Sequence, residues 1–433
     1  MITMRTSTRP SALGRLPATL AAAAALVAAL LFSALPTLDA QAGGDRHWVG
    51  TWATAPVERP APPPDGGRGG APPTTINNQT LRQIVHTSLG GDRVRVIFSN
   101  AFGTAPLPVG AARVALRANG AAIVDGSSRA LTFGGSPSAA IPAGTVLFSD
   151  PVDLAVPAMA DLAVDLFLPG DASGASPMTT HNGALQTSYV STTGNHAGAT
   201  ALPVATDIQA WFFLARVEVL TPASASAVVI FGDSISDGTA STPDTNNRWP
   251  DHLARRLAAA GMPVGVLNLG IAGNQVLSDG LGVSALARFD RDVLAQSGVS
   301  HVVVMEGIND FGIGGASGPA AADLIFGHQQ LVTRAHAQGL RIYAGTLTPF
   351  EGTNLGFLPN YYTPENDAKR RALNEWIRTA GVYDGVIDFD AAVRNPTQQG
   401  RLLPRYAASD NLHLNDAGYA AMAATVDLGL FRR

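Results

Sequence analysis

Four short polar segments hold the residues of this chain that could do chemistry. Ser234 lies in Gly232-Asp233-Ser234-Ile235-Ser236, directly after an apolar run. A serine hydroxyl is a weak nucleophile until a base accepts its proton. His413, in Asp410-Asn411-Leu412-His413, is a candidate base, and Asp410 could fix its tautomer and stabilise the imidazolium. The order of these residues along the chain is no obstacle, because the same geometry recurs on unrelated folds. Attack on an ester carbonyl develops negative charge on oxygen, which preorganised donors must stabilise. The backbone N–H groups of Ser234 and Gly273 and the side-chain amide of Asn309 are candidates for that role, and Gly273 has no Cβ to obstruct approach. Taken singly, each segment has another reading. Ser234 could cap a helix, Asn309 could be a turn residue, and Asp410 with His413 could be a cap beside a surface histidine or part of a metal pair.

These residues need elements that bring them together. Ala227 to Phe231 is an uninterrupted apolar run that predicts a strand buried on both faces. After it, strands are expected at 264–269, 299–305, 340–347 and 386–389. Helices are expected between and after them, at 249–260, 284–294, 320–338, 365–380 and 416–428. This alternation predicts a parallel sheet with helices on both faces, a three-layer α/β/α domain over 222–433. A parallel sheet carries the ends of its strands to one edge, where such folds bind ligands. Ser234, Gly273 and Asn309 each follow a strand, so all three are expected at that edge.

The preceding region reads differently. Short alternating strands separated by turn signals run from Thr80 to Leu220, and the expected fold of 43–221 is a β-sandwich, jelly-roll-like. Leu81 to Val85 and Arg93 to Phe98, joined across Gly90-Gly91, read as a hairpin, and Ile208 to Val219 as one strand. Residues 56–73 form a Pro/Gly-rich loop. His47, His86, His181 and His196 have no metal-like spacing and read as surface residues, and Arg82, Arg93 and Arg95 as a solvated strand face.

The first 42 residues have the pattern of a signal peptide: Arg5, Arg9 and Arg15, an apolar stretch from Ala18 to Leu35, and the small-x-small site Ala40-Gln41-Ala42. An uncleaved anchor is the alternative. Removing the segment takes away three arginines and Asp39, and the formal net charge moves from −4 to −6. The expected location is secreted or periplasmic, with no stable membrane insertion once the segment is removed. No disulfide can form, since the 433 residues include no cysteine. With 14% charged residues and no basic stretch, nucleic acid is excluded as a partner.

The four segments in this order resemble the diagnostic blocks of the GDSL/SGNH hydrolase superfamily of serine esterases and lipases. The blocks are Gly232-Asp233-Ser234-Ile235-Ser236, Gly270-Ile271-Ala272-Gly273-Asn274, Gly307-Ile308-Asn309-Asp310 and Asp410-Asn411-Leu412-His413. Ile235 stands where the family name has leucine. The resemblance implies Ser234 as nucleophile, His413 as base and Asp410 as its orienting carboxylate, with Ser234, Gly273 and Asn309 as the oxyanion hole. It implies ester hydrolysis through an acyl-enzyme with no metal, nucleotide or other cofactor. The preceding β-domain resembles that of a secreted bacterial esterase subgroup. A small-molecule or polysaccharide ester is the expected substrate, acting through small acyl or carbohydrate-linked groups. The alternatives are a lipase or lysophospholipase, whose acyl chain would lie along Phe350 to Tyr362, and a polysaccharide-binding protein with a degenerate esterase domain.

Overall fold

In the strand Ser226–Gly232 every residue is buried, as the apolar run requires, and it lies inside a five-stranded parallel sheet. The spatial order is Val264–Gly270, Ser226–Gly232, Val299–Met305, Arg341–Gly345, Gly385–Ile387. Each buried valine or isoleucine in the central strands contributes roughly 1.5–3 kcal/mol. Helices Trp249–Ala259, Phe389–Val393 and Asp416–Thr425 pack together, and Ala321–Ala337 packs on Pro364–Thr379. The two helical groups sandwich the sheet as an α/β/α arrangement. The computed structural model describes residues 45–59 and 76–432. The expected signal segment, 1–42, lies outside the described residues, as do residues 60–73 of the expected Pro/Gly loop. The start of that loop is ordered: Val57–Arg59 is a strand paired with Met178–Asn182.

The preceding region is antiparallel. One five-stranded sheet is centred on Gly91–Ser99 and Leu214–Pro222, and a seven-stranded sheet on Asn77–His86 and Asp161–Asp171. Their facing side chains, among them Leu81, Val85, Val94, Val96, Leu162 and Val219, form a core with no solvent exposure. Two expectations fail here. The strands either side of Gly90-Gly91 are not a hairpin but belong to different sheets. Asn77–His86 already pairs on both edges, with Asp161–Asp171 and with Ser188–Thr193, so it has no edge left to offer. The single strand expected from Ile208 to Val219 is broken at Phe213, whose φ of 55° turns the chain out of extended geometry.

The expected arginine face holds only in part: Arg93 and Arg95 are partly exposed on Gly91–Ser99, whereas Arg82 lies on Asn77–His86. Arg82 is wholly buried and grips Asp165 with two parallel hydrogen bonds of 2.7 and 2.8 Å. Burying a guanidinium is tolerated when a carboxylate meets its fork in this way.

From Arg46 onward the chain is one compact unit. Val49, Ala53, Ala55 and Val57 pack into the α/β core, whereas Trp52 on the same strand packs into the β core. The edge of the parallel sheet is capped: Val266 N donates to Ser88 Oγ at 2.9 Å, and Ser88 Oγ donates to Thr51 O at 2.6 Å. Covering an open edge in this way removes a template for aggregation. Among the described residues no helix is long and apolar enough to cross a membrane.

Candidate active site

Gly232 ends the central strand where a Cβ would lie 2.2 Å from Ser236 Oγ and 2.8 Å from Met305 O, so the turn into the next helix admits only glycine. That helix, Ser234–Asp237, is capped by Asp233, whose carboxylate accepts from Ile235 N at 2.9 Å. Ser234 therefore sits in the first turn, over the sheet edge. Its Oγ–H donates to His413 Nε2 at 2.9 Å, and His413 Nδ1–H donates to Asp410 Oδ2 at 2.6 Å. Asp410 can only accept, which puts the ring proton on Nδ1 and leaves Nε2 free to take the serine's. Asp410 Oδ1 also accepts from the backbone N–H groups of Leu412 and His413 at 3.0 and 2.9 Å. Burial would raise this carboxyl, but those bonds and the His413 side chain outweigh it and hold Asp410 down at about 2.

Gly273 and Asn309 line the same cavity as Ser234 and His413. Gly273 has a φ of 77°, and a Cβ there would lie 2.3 Å from Leu281 Cδ1. Asn309 Nδ2 donates to Asn274 O at 2.9 Å, and Tyr361 Oη–H donates to Asn309 Oδ1 at 2.8 Å. The tyrosine thus fixes which end of the amide is the donor and leaves one N–H of Nδ2 for a ligand. All five residues singled out from the sequence are brought together here.

Several residues that position them were not singled out. Asp310 accepts from Val276 N and Leu277 N at 2.8 and 3.1 Å and so holds the loop that carries Gly273. Arg288, wholly buried, donates to Asn274 Oδ1, Leu269 O, Asp292, Gly232 O and Glu306. It ties three strand ends to one guanidinium. In sequence it is one of four charged residues between Ser284 and Leu294, with nothing to mark it. Tyr361 reads in sequence as part of an apolar wall or of a loop packed on the core, not as a partner for Asn309. Burial pushes Asp233 up to about 7 and Asp310 to about 6, and burial together with Asp233 raises Glu306. Asp233 Oδ2 and Glu306 Oε2 are buried without a hydrogen-bond partner among the described residues.

The cavity holds about 140 Å³ and is lined mainly by apolar groups, including Leu281, Ile313, Leu355, Phe357 and Leu358. The segment 350–362 divides: Phe350 is core, whereas Leu355, Phe357, Leu358 and Tyr361 face the cavity. Leu281 also borders a second cleft, of about 400 Å³, where Glu58 and Asn182 of the antiparallel region face Asp279.

Residues 230–421 match the model of the GDSL-like Lipase/Acylhydrolase family. No curated protein matches the chain. Similar solved structures include a carbohydrate acetylesterase family member from Sinorhizobium meliloti, 19% identical over 46% of this chain and 94% of its own, with a TM-score of 0.37. An aryl esterase of M. smegmatis is 15% identical over 46% of this chain and 95% of its own, with a TM-score of 0.38. A lipase/acylhydrolase from Enterococcus faecalis is 20% identical over 46% of this chain and 92% of its own, with a TM-score of 0.35.

Proposed function

We propose that this chain, whose residues 230–421 match the GDSL-like Lipase/Acylhydrolase model, is a serine carboxylic ester hydrolase. The observation that carries the reading is the path from Asp410 through His413 to Ser234, with links of 2.6 and 2.9 Å, opening on a cavity that Gly273 and Asn309 also line. Ser234 Oγ attacks the carbonyl carbon while its proton passes to His413 Nε2, and Asp410 stabilises the imidazolium. The oxyanion accepts from the N–H groups of Ser234 and Gly273 and from Asn309 Nδ2. The bond to the alcohol breaks as His413 returns the proton to the leaving alkoxide. Water then attacks the acyl carbon, gives its proton to His413, and the acid leaves as Ser234 recovers its own.

The substrate in this reading is a small acyl or carbohydrate-linked ester. The apolar cavity suits the acyl part, and the cleft beyond Leu281, with Glu58, Asn182 and Asp279, offers acceptors and donors for hydroxyls on the alcohol side. A lipid ester is the second reading, favoured by the exposure of Phe357 and Leu281, 77% and 67%, at the cavity. The signal-like first 42 residues support a secreted or periplasmic location, and the connector at Pro222–Ser226 is taken as the boundary between β-domain and hydrolase domain.

A series of nitrophenyl esters of increasing chain length, run beside acetylated polysaccharides, tests both readings. Turnover of short or sugar-linked esters that disappears in a folded Ser234→Ala variant is the expected result. Absence of turnover on every ester by folded protein, or activity surviving Ser234→Ala, overturns the proposal.

A further inference from the structure

The histidine read from sequence as a surface residue, His181, is buried to 3% exposure on the strand Met178–Asn182 of the antiparallel region. It stands 5.6 Å from the ring of Trp211, which itself meets Trp52 edge-on at 4.9 Å. Its Nδ1 lies 2.9 Å from Ala55 O and its Nε2 3.1 Å from Asp237 Oδ1. Asp237 is the last residue of the helix that Ser234 begins, and its backbone N–H donates to Asp233 O at 2.9 Å. The same residue is held a second way. Arg248 Nε donates to Asp237 O at 2.9 Å while the other arm of the guanidinium donates to Ala184 O of the antiparallel region.

The hydrogen-bond arithmetic at His181 is unusual. A backbone carbonyl and a carboxylate are both pure acceptors, and a neutral imidazole has only one N–H to give. Two ring nitrogens facing two acceptors require one proton more than neutral His181 with ionised Asp237 provides. We propose that this extra proton, shared between His181 and Asp237, locks the end of the nucleophile helix to the β region, making His181 a positioning residue for Ser234. Burial and the Arg248 guanidinium oppose this proton, and the acceptors around it must offset both. Asp237 faces it directly, and Arg248 is answered by Asp251 at 3.5 Å. His86 and Asp251 lie across a small cavity of about 40 Å³ beside the pair. Burial alone would lower the imidazole, but Asp237 and the Ala55 carbonyl outweigh it, and His181 is held above its ordinary range.

A folded-state value raised in this way stabilises the fold below the unfolded histidine's range, and that stabilisation is lost as pH rises through the folded value. Loss of the proton leaves one N–H for two acceptors, so one of the two contacts, to Asp237 or to Ala55 O, turns repulsive and the tie between the helix end and the β region weakens. The kinetic part of the inference rests on the esterase reading; the denaturation part does not, so failure of one is distinguishable from failure of the other.

Asp237→Asn is the decisive variant. Its amide can donate to Nε2 while Nδ1–H still donates to Ala55 O, so the link forms with no extra proton. We measure Tm and kcat from about pH 6 to about pH 10 in the parent, in Asp237→Asn and in His181→Ala. Expected are a joint fall of Tm and kcat on the alkaline side in the parent and a flattening of that alkaline limb of both in Asp237→Asn. In His181→Ala, kcat near neutral pH should drop about tenfold or more with KM within about twofold, the signature of a misplaced reacting group. If His181→Ala does not fold, the Asp237→Asn comparison still decides. An alkaline fall of Tm in Asp237→Asn as steep as in the parent overturns the shared proton. A folded His181→Ala with the parent's kcat overturns the positioning role.

Discussion

Replacing Tyr361 by Phe removes one hydroxyl from the site and leaves its packing. Asn309 then loses the donor that fixes its amide, so kcat should fall by about tenfold with little change in KM, the loss of an interaction made mainly in the transition state. A parent-like kcat would show that the Asn274 contact alone orients Asn309. Asp410 stays ionised across the neutral range. Its depressed value, about 2, stabilises the fold above the unfolded carboxyl's range, roughly pH 4, and that contribution is lost only as pH falls towards 2. At this scale the sequence was informative wherever a residue type does chemistry that few others can. Ser234, Gly273, Asn309, Asp410 and His413 could be named because nucleophile, donor and base are restricted roles. Tyr361 and Arg288 could not, because orienting an amide or neutralising a buried carboxylate is done from whichever neighbouring element supplies a suitable side chain.

The turn between the central strand and the nucleophile helix concentrates buried carboxyl groups. Asp233, raised to about 7 by burial, stabilises the fold below roughly pH 4, and this is lost as pH rises towards 7. Asp233→Asn keeps an acceptor for Ile235 N and removes that titration. The variant's Tm should therefore gain on the parent's between about pH 5 and about pH 8, and a difference independent of pH would show that Asp233 does not titrate there. Arg288 is the opposite case: truncation to Ala leaves Glu306 without its buried partner and Asp292 with Arg291 alone, and should cost about 3–5 kcal/mol in chemical denaturation. Elements of the α/β region were legible from hydrophobic period because a strand buried on both faces and an amphipathic helix look different in sequence. Trp249–Ala259 and Val299–Met305 lie within a residue of expectation. The helix Ile308–Gly314 was missed, since two glycines and a polar pair hide its period. The antiparallel pairing was not legible, because nothing local in Gly90-Gly91 distinguishes a hairpin from a crossing between sheets.

Across the whole molecule, substrate choice depends on surfaces from distant parts of the chain. Phe357 is largely exposed at the cavity, so Phe357→Ser should lower kcat/KM for long-chain nitrophenyl esters more than for the acetate. Equal losses on both would assign it to packing. Nothing local in the sequence shows that Glu58 and Asn182 border the neighbouring cleft, because that depends on how the β region docks. The docking also has a consequence for the order in which the chain acquires its structure. The first described strand, Arg46–Ala53, closes on Leu214–Pro222, so the antiparallel region is complete only when some 170 residues beyond it exist. That same strand then offers Val49 and Ala53 to the core of the parallel sheet, a prepared wall against which the later strands can collapse. Ser234 and His413 are 179 residues apart, and the base arrives last. In a chain growing from its N-terminus, the proposed nucleophile is therefore made well before its proposed base, so a chain cut short of His413 is expected to lack the ester hydrolysis proposed above.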